Sequence, residues 1–333
     1  MTSSAVTPPV LELRNLVVEF VNRHGTLRAL DGISLSIAPG EVLGVVGESG
    51  AGKSLTGAAV IGLLEPPGRI ASGEVLLAGQ RIDQLPVEEL RHIRGKRIGT
   101  IFQDPLTSLD PLYRVGEQLI ETIRTHLPVS EQQARERAIA LLAEVGIPAP
   151  EKRIDGYPHE FSGGMRQRVV IAIALLNKPD LIICDEPTTA LDVTIQGQIL
   201  YEMQKLCAET GAALIWITHD LSVIAGLADT VSVMYAGKIV ESGTAKQVLE
   251  QPRHPYSHAL IASAPSRNPR GQPLRQIPGM TPSLIRLPSG CAFRERCDRV
   301  SDLCRQAPPM HTGDGRMLRC FHPVGAEYPE VSR

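Results

Sequence analysis

The segment Gly47-Glu48-Ser49-Gly50-Ala51-Gly52-Lys53-Ser54 constrains this chain more than any other. It matches G-x-x-x-x-G-K-S. In that pattern glycines let backbone N–H groups turn inward around phosphate oxygens, a lysine neutralises β/γ charge and a hydroxyl reaches Mg2+. Such a loop needs a buried strand before it and a helix after it. The apolar run Val42–Val46 precedes it, and an apolar stretch of helical character follows to about Leu64. A chance glycine turn would lack those flanks. The chain is therefore predicted to build an α/β core in which residues 47–54 bind the phosphates of a nucleotide.

The rest of the chain can supply such a core. Its 333 residues allow one large domain or two, and 43% of them are hydrophobic. Aromatic residues make up only 4%, so aliphatic side chains must do most of the packing. The 34 basic and 36 acidic residues leave a net charge of −2, which argues against nucleic-acid binding by bulk charge. The first residues lack the basic and apolar regions of a signal peptide, and runs such as 169–176 are too short to cross a bilayer. The expectation is a cytoplasmic chain that reaches a membrane only through a partner.

Partial alternation at Leu11, Leu13, Val18 and Phe20, and again at Ile33, Leu35 and Ile37, predicts two half-buried strands, with a turn at Pro39-Gly40. Residues 88–160 turn polar and helix-forming. Within them 98–102 reads as a short strand, and Ser130 and Gln133 form a capping box for a helix that stops at Gly146. Strands return at 181–184, 213–217 and 231–235, and 235–239 is a predicted hairpin. Beyond Pro252 proline is dense, and apolar periodicity fades after about Ala264. A tail so poor in apolar residues needs a staple.

Other residues fit nucleotide chemistry once the loop is present. Asp185 ends the buried strand 181–184 and suits Mg2+, while Glu186 can polarise a water for attack on a γ-phosphate. Alone, the pair would read equally well as an acidic strand cap. Gln103 follows the strand 98–102 and can reach Mg2+ or that water through its amide oxygen. His219 ends the strand 213–218 and can contact the γ-phosphate or orient Glu186, although a lone histidine is more often structural. The stretch Phe161-Ser162-Gly163-Gly164-Met165 is a second phosphate-reading turn ahead of a helix.

In this order GESGAGKS, Gln103, FSGGM, LIICDEP, Ala190-Leu191-Asp192 and Thr218-His219-Asp220 resemble the ATPase subunits of ABC transporters across residues 10–250. The resemblance implies a P-loop NTPase (RecA-like) core with an N-terminal antiparallel β subdomain and an inserted α-helical subdomain at 88–160. It implies two ATPase subunits packed head to tail. Ser162, Gly163 and Gly164 would then grip the γ-phosphate bound to the partner, and Asp192 would cross the interface. Gln103 and Ser54 would join Asp185 at Mg2+, and Gln103 would link the site to a membrane subunit. Phe20 is the candidate to stack on adenine. Phe161 and Met165 replace the more usual Leu and Gln of the signature, and Cys184 a more usual small residue, without touching the phosphate-reading Ser-Gly-Gly.

The tail narrows the likeness. His254-Pro255-Tyr256-Ser257-His258-Ala259-Leu260 and Ile277-Pro278-Gly279 resemble the dipeptide/oligopeptide/nickel branch, nearest its dipeptide-permease subunits, with a C-terminal extension at 251–333. The implied role is peptide import, with nickel or glutathione as alternative cargo. Implied partners are a second ATPase subunit as a heterodimer, two transmembrane permease subunits and an extracytoplasmic binding protein, at the cytoplasmic face of the inner membrane. A non-transport ATPase of this fold would carry a coiled-coil insertion or duplicated motifs, and neither is present in this sequence. A regulatory protein that binds nucleotide without turnover is disfavoured by Lys53, Asp185 and Glu186. Cys291, Cys297, Cys304 and Cys320 are spaced C-x5-C-x6-C-x15-C, wide for zinc, and spacing leaves iron–sulfur and Zn2+ both open. The resemblance favours a [4Fe–4S] cluster.

Overall fold

A computed structural model describes residues 8–23, 25–103, 108–188, 193–268 and 271–325. Its strands in chain order are β1 (Leu11–Asn22), β2 (Gly25–Ile37), β3 (Val42–Val46), β4 (Gly68–Leu77), β5 (Gln80–Arg81), β6 (Ile98–Ile101), β7 (Leu181–Asp185), β8 (Ala213–Thr218), β9 (Thr230–Tyr235), β10 (Lys238–Thr244), β11 (His311–Gly313) and β12 (Arg316–Leu318). The chain divides into two compact units. One takes the described residues of 1–11, 37–41 and 77–216, the other those of 12–36, 42–76 and 217–333.

In the first unit β6 runs parallel to β7, with Ile98 opposite Leu181 and Ile101 opposite Cys184, and β8 flanks β7 on its other side. Leu181–Cys184 are all buried, as a strand covered on both faces requires. Around them stand the helices Val87–Ile93, Val115–His126, Glu131–Glu144, Gly163–Leu175 and Val193–Thr210. The predicted capping box is present. Gln133 N–H donates to Ser130 Oγ at 3.2 Å and Ser130 N–H to Gln133 Oε1 at 3.0 Å. That helix buries Ala134, Ala138 and Leu142 in one stripe and ends before Gly146.

In the second unit β3 is parallel to β9, with Leu43 opposite Thr230. β9 returns as antiparallel β10 through the predicted hairpin, where Tyr235 faces Lys238. β10 pairs with β12, which pairs with β11, so the tail extends the sheet of the core. A separate sheet sets β2, β1 and β4 side by side. In β1 the buried positions change phase from Leu11 and Leu13 to Leu16 and Val18. Asn15, at φ 47°, inserts the shift, and its N–H is held by Ser34 Oγ at 2.9 Å. Alternation in that stretch is partial for this reason.

Two boundaries differ from expectation. The helix after the phosphate loop ends at Val60 rather than near Leu64, because its carbonyls are closed off by the turn at Ile61-Gly62, with Gly62 at φ 65°. β6 ends at Ile101, and Phe102 is exposed. No helix among the described residues is long and apolar enough to cross a membrane.

Candidate nucleotide site

β3 delivers the chain into the phosphate loop at Gly47, whose φ is 153°. A Cβ there would lie 2.3 Å from the Met234 carbonyl oxygen on β9, so only glycine lets the loop leave between the two strands. Gly52, at φ 103°, caps the helix Lys53–Val60. The Lys53 side chain is buried, and its Nζ donates to the carbonyls of Gly47 at 2.8 Å and Glu48 at 3.1 Å. The ammonium therefore lies inside the loop. Ala51 is buried and pinned through its carbonyl by Gly237 N–H at 3.0 Å. Ser49, Gly50 and Ser54 are exposed, as groups that meet a ligand must be.

Glu48 faces another way. Arg296 Nη1 donates to its Oε2 at 2.6 Å and Nη2 to its Oε1 at 2.9 Å, while Thr281 Oγ1 donates to Oε2 at 3.0 Å. Its own N–H donates to Tyr256 Oη at 2.8 Å. The hydrogen bonds from Arg296 hold its carboxyl below the usual carboxylate range. Both the carboxylate and the N–H of Glu48 are thus engaged by residues of the tail. Arg296, Tyr256 and Thr281 carried no sequence signal for this role.

Phe20 and His219 belong to the same unit as the loop. Phe20 is half-buried in β1, its ring edge against Gly68. His219 is exposed just after β8, ahead of Asp220, which caps the next helix by accepting Ser222 N–H at 2.8 Å.

The other unit holds Gln103, Asp185, Glu186 and Ser162–Gly164. Asp185 closes β7, and Glu186 follows at φ 46°, a left-handed conformation that is costly outside glycine. Gln103 Nε2 donates to Glu186 Oε2 at 3.2 Å, so these two predicted residues meet. With one of its two N–H donors used there, the Gln103 side chain also offers its amide oxygen as an acceptor for a cation or a water. Ser162 caps the helix Gly163–Leu175, its Oγ accepting Met165 N–H at 3.3 Å. Ser162 and Gly163 are exposed, and Gly164 lies against Ile195. The first turn carries no acidic residue, so this helix end presents bare N–H groups and positive dipole. Asp192 lies outside the described residues, as do Ala190 and Leu191.

The four tail cysteines line one pocket, with His254, Phe293 and His322. Cys291 N–H donates to the Cys304 carbonyl at 2.9 Å. Two further N–H groups point at sulfur: Arg299 to Cys297 Sγ at 3.4 Å and His322 to Cys320 Sγ at 3.2 Å. Burial, with some contribution from the neighbouring thiols, pushes Cys297 up to about 11 and Cys320 to about 12. All six cysteines are free. Among the described residues no three His, Cys, Asp or Glu side chains are drawn together to hold a metal ion. Four soft donors on one cavity, with N–H groups aimed at two sulfurs, make a donor set that fits a thiolate-bound group.

A family model described as ABC transporter matches residues 30–189, and one described as Oligopeptide/dipeptide transporter, C-terminal region, matches 240–304. The oligopeptide transport ATP-binding protein OppD of Salmonella typhimurium is 48% identical over 316 residues, covering 95% of this chain and 94% of that one. OppD of Bacillus subtilis is 48% identical over 304 residues, covering 90% and 85%. Among solved structures, an ATP-binding cassette captured as a dimer after hydrolysis, bound to ADP and Pi, is 28% identical with a TM-score of 0.64 over 71% of this chain and 98% of that one.

Proposed function

The chain belongs to the ABC transporter family, on its oligopeptide/dipeptide branch, and from that premise we propose that it is the subunit whose ATP hydrolysis powers peptide uptake through the cytoplasmic membrane. The observation that carries the reading is Lys53, buried with its ammonium inside a glycine loop between a core strand and a helix. Residues 47–54 cradle the phosphates of ATP. Ser54, Asp185 and the Gln103 amide oxygen would hold Mg2+, which supplies charge neutralisation at the β/γ bridge. Glu186, steadied by Gln103, accepts the proton of the attacking water. His219 contacts the γ-phosphate, and Phe20 is the adenine-facing aromatic.

Ser162, Gly163 and Gly164, with Asp192, serve the ATP of a partner ATPase subunit in a nucleotide-closed dimer. ATP drives closure only by binding the closed dimer more tightly than the open one. Two permease subunits and an external binding protein complete the assembly, with this chain peripheral on the cytoplasmic face. Residues 10–250 form the cassette and 251–333 the extension, stapled by a [4Fe–4S] cluster at Cys291, Cys297, Cys304 and Cys320. Zinc is the second choice, because a single ion needs its donors closer together than a cluster does.

The test is uptake. Cells relying on this chain should accumulate labelled di- and oligopeptides, and Lys53→Ala should abolish both uptake and ATP hydrolysis. Peptide-independent uptake of nickel or glutathione would replace the peptide assignment.

A further inference from the structure

We propose that the C-terminal extension is a working part of the nucleotide site, in which Arg296 acts through Glu48 as a positioning residue for the phosphate loop. Glu48 is the second residue of the loop and its one acidic residue. Its charge is felt by Lys53. An uncompensated carboxylate there would compete with phosphate for that lysine and repel the polyphosphate. Arg296 removes the problem by gripping both carboxylate oxygens, at 2.6 and 2.9 Å.

The grip is built rather than incidental. The Arg296 side chain is only 5% exposed. Its Nε donates to the Pro278 carbonyl at 2.8 Å, Nη1 also reaches Tyr235 Oη at 3.3 Å, and the guanidinium lies 5.9 Å from the ring centres of both Tyr235 and Phe293. Tyr235, Tyr256 and Phe293 pack on one another with ring centres 4.5–5.4 Å apart, in a chain where aromatics are scarce. Tyr256 holds the backbone of Glu48 while Arg296 and Thr281 hold its side chain. Glu48 is thus fixed at three points, all of them from residues 256–296.

An ion pair withdrawn even partly from water is a poor way to glue two surfaces, since apolar residues of the same size hold as well or better. It is a good way to fix a carboxylate in one orientation, because the planar fork allows only one bidentate geometry. Arg296 also precedes Cys297, and Phe293 and Cys297 both line the four-thiol pocket. The packing of that pocket therefore sets where the guanidinium sits.

The inference rests on residues 47–54 binding ATP, and the experiment separates the two. Equilibrium binding of Mg-ATP to the full chain is measured alongside kcat and KM for wild type, Arg296→Lys, Thr281→Val, Glu48→Gln, the double variant Glu48→Gln/Arg296→Lys, Lys53→Ala and the exposed control Arg305→Gln. Arg296→Lys should weaken ATP binding and raise KM by about ten- to a hundredfold, with a smaller change in kcat at saturating ATP. Thr281→Val, which buries no charge and should melt like wild type, should shift binding in the same direction by a factor of a few. The double variant should be no worse than Arg296→Lys alone, because both act on one contact. Arg305→Gln should bind as wild type does. Wild-type ATP affinity in folded Thr281→Val and Arg296→Lys overturns the proposal. Failure of wild type to bind ATP, or unchanged binding by Lys53→Ala, overturns the phosphate-loop reading and the proposal with it.

Discussion

At the scale of single residues, Glu186 combines a strained backbone with a carboxylate steadied by a neighbouring amide. It adopts φ 46°, and its carboxylate accepts a hydrogen bond from the Gln103 amide at 3.2 Å. Replacing it with glutamine keeps the size and the backbone strain but removes the base. Glu186→Gln should therefore bind ATP as wild type does while turnover falls by about a hundredfold or more. If closure follows binding, the variant should accumulate as an ATP-dependent dimer on a sizing column. Ordinary hydrolysis by Glu186→Gln would remove this residue from the role of base. The sequence motif pointed to Glu186 because an acidic pair ends an apolar run. The strain at Glu186 could not be read there, since backbone conformation is set by what surrounds the turn. Arg296 was still less legible, because its partner lies 248 positions away and no local pattern announces the pairing.

At the scale of elements, strand β3 and the helix Glu131–Glu144 were legible because their signals are local: a short apolar run, and a capping box ahead of a helical stripe. The helix after the phosphate loop was over-extended in sequence because Leu63 and Leu64 are apolar, whereas the turn at Ile61-Gly62 decides where it stops. The helix Pro255–Ala262 carries a consequence for pH. Its cap is His254, whose Nδ1 accepts Tyr256 N–H at 3.0 Å and whose buried ring has its pKa lowered to about 3 by desolvation. In the fold this imidazole is neutral, whereas in the unfolded chain it takes a proton below about 6.5. Stability is then complete above that value and is lost as pH falls toward 3, by about 1.4 kcal/mol per pH unit from this group. Glu48 adds to the lower part of the window, because its depressed carboxyl stabilises the fold above its unfolded value and loses that contribution as pH falls through the folded one. Thermal melts between pH 7 and 4 should show the slope, and His254→Asn, which can still cap but does not titrate, should flatten it. An unchanged slope in that variant would assign the acid sensitivity elsewhere.

At the scale of the whole molecule, the extension has too little core to hold itself. Among the described residues beyond 251, the buried apolar side chains are Pro255, Tyr256, Phe293 and Cys304, while Met280 and Ile285 lie exposed. Besides the helix Pro255–Ala262, the regular structure of its described residues consists of short 3-10 turns and one small hairpin. Chains of this kind gain order from a metal or a covalent staple, and all six thiols here are free. The raised pKa of Cys297 and Cys320 follows mainly from burial, so the empty-handed thiols would stay protonated at neutral pH, and a bound cation would have to displace those protons to gain its ligands. An anaerobically purified chain should be brown and contain iron and acid-labile sulfide. Cys291→Ser should lose the colour and the iron, and its tail should become more susceptible to proteolysis. Because Phe293 and Cys297 line the same pocket while Arg296 holds Glu48, the same variant should also bind ATP more weakly than wild type. Stoichiometric zinc without iron would defeat the iron–sulfur assignment yet leave the staple and its link to the phosphate loop in force, whereas a metal-free chain with an ordered tail would defeat both.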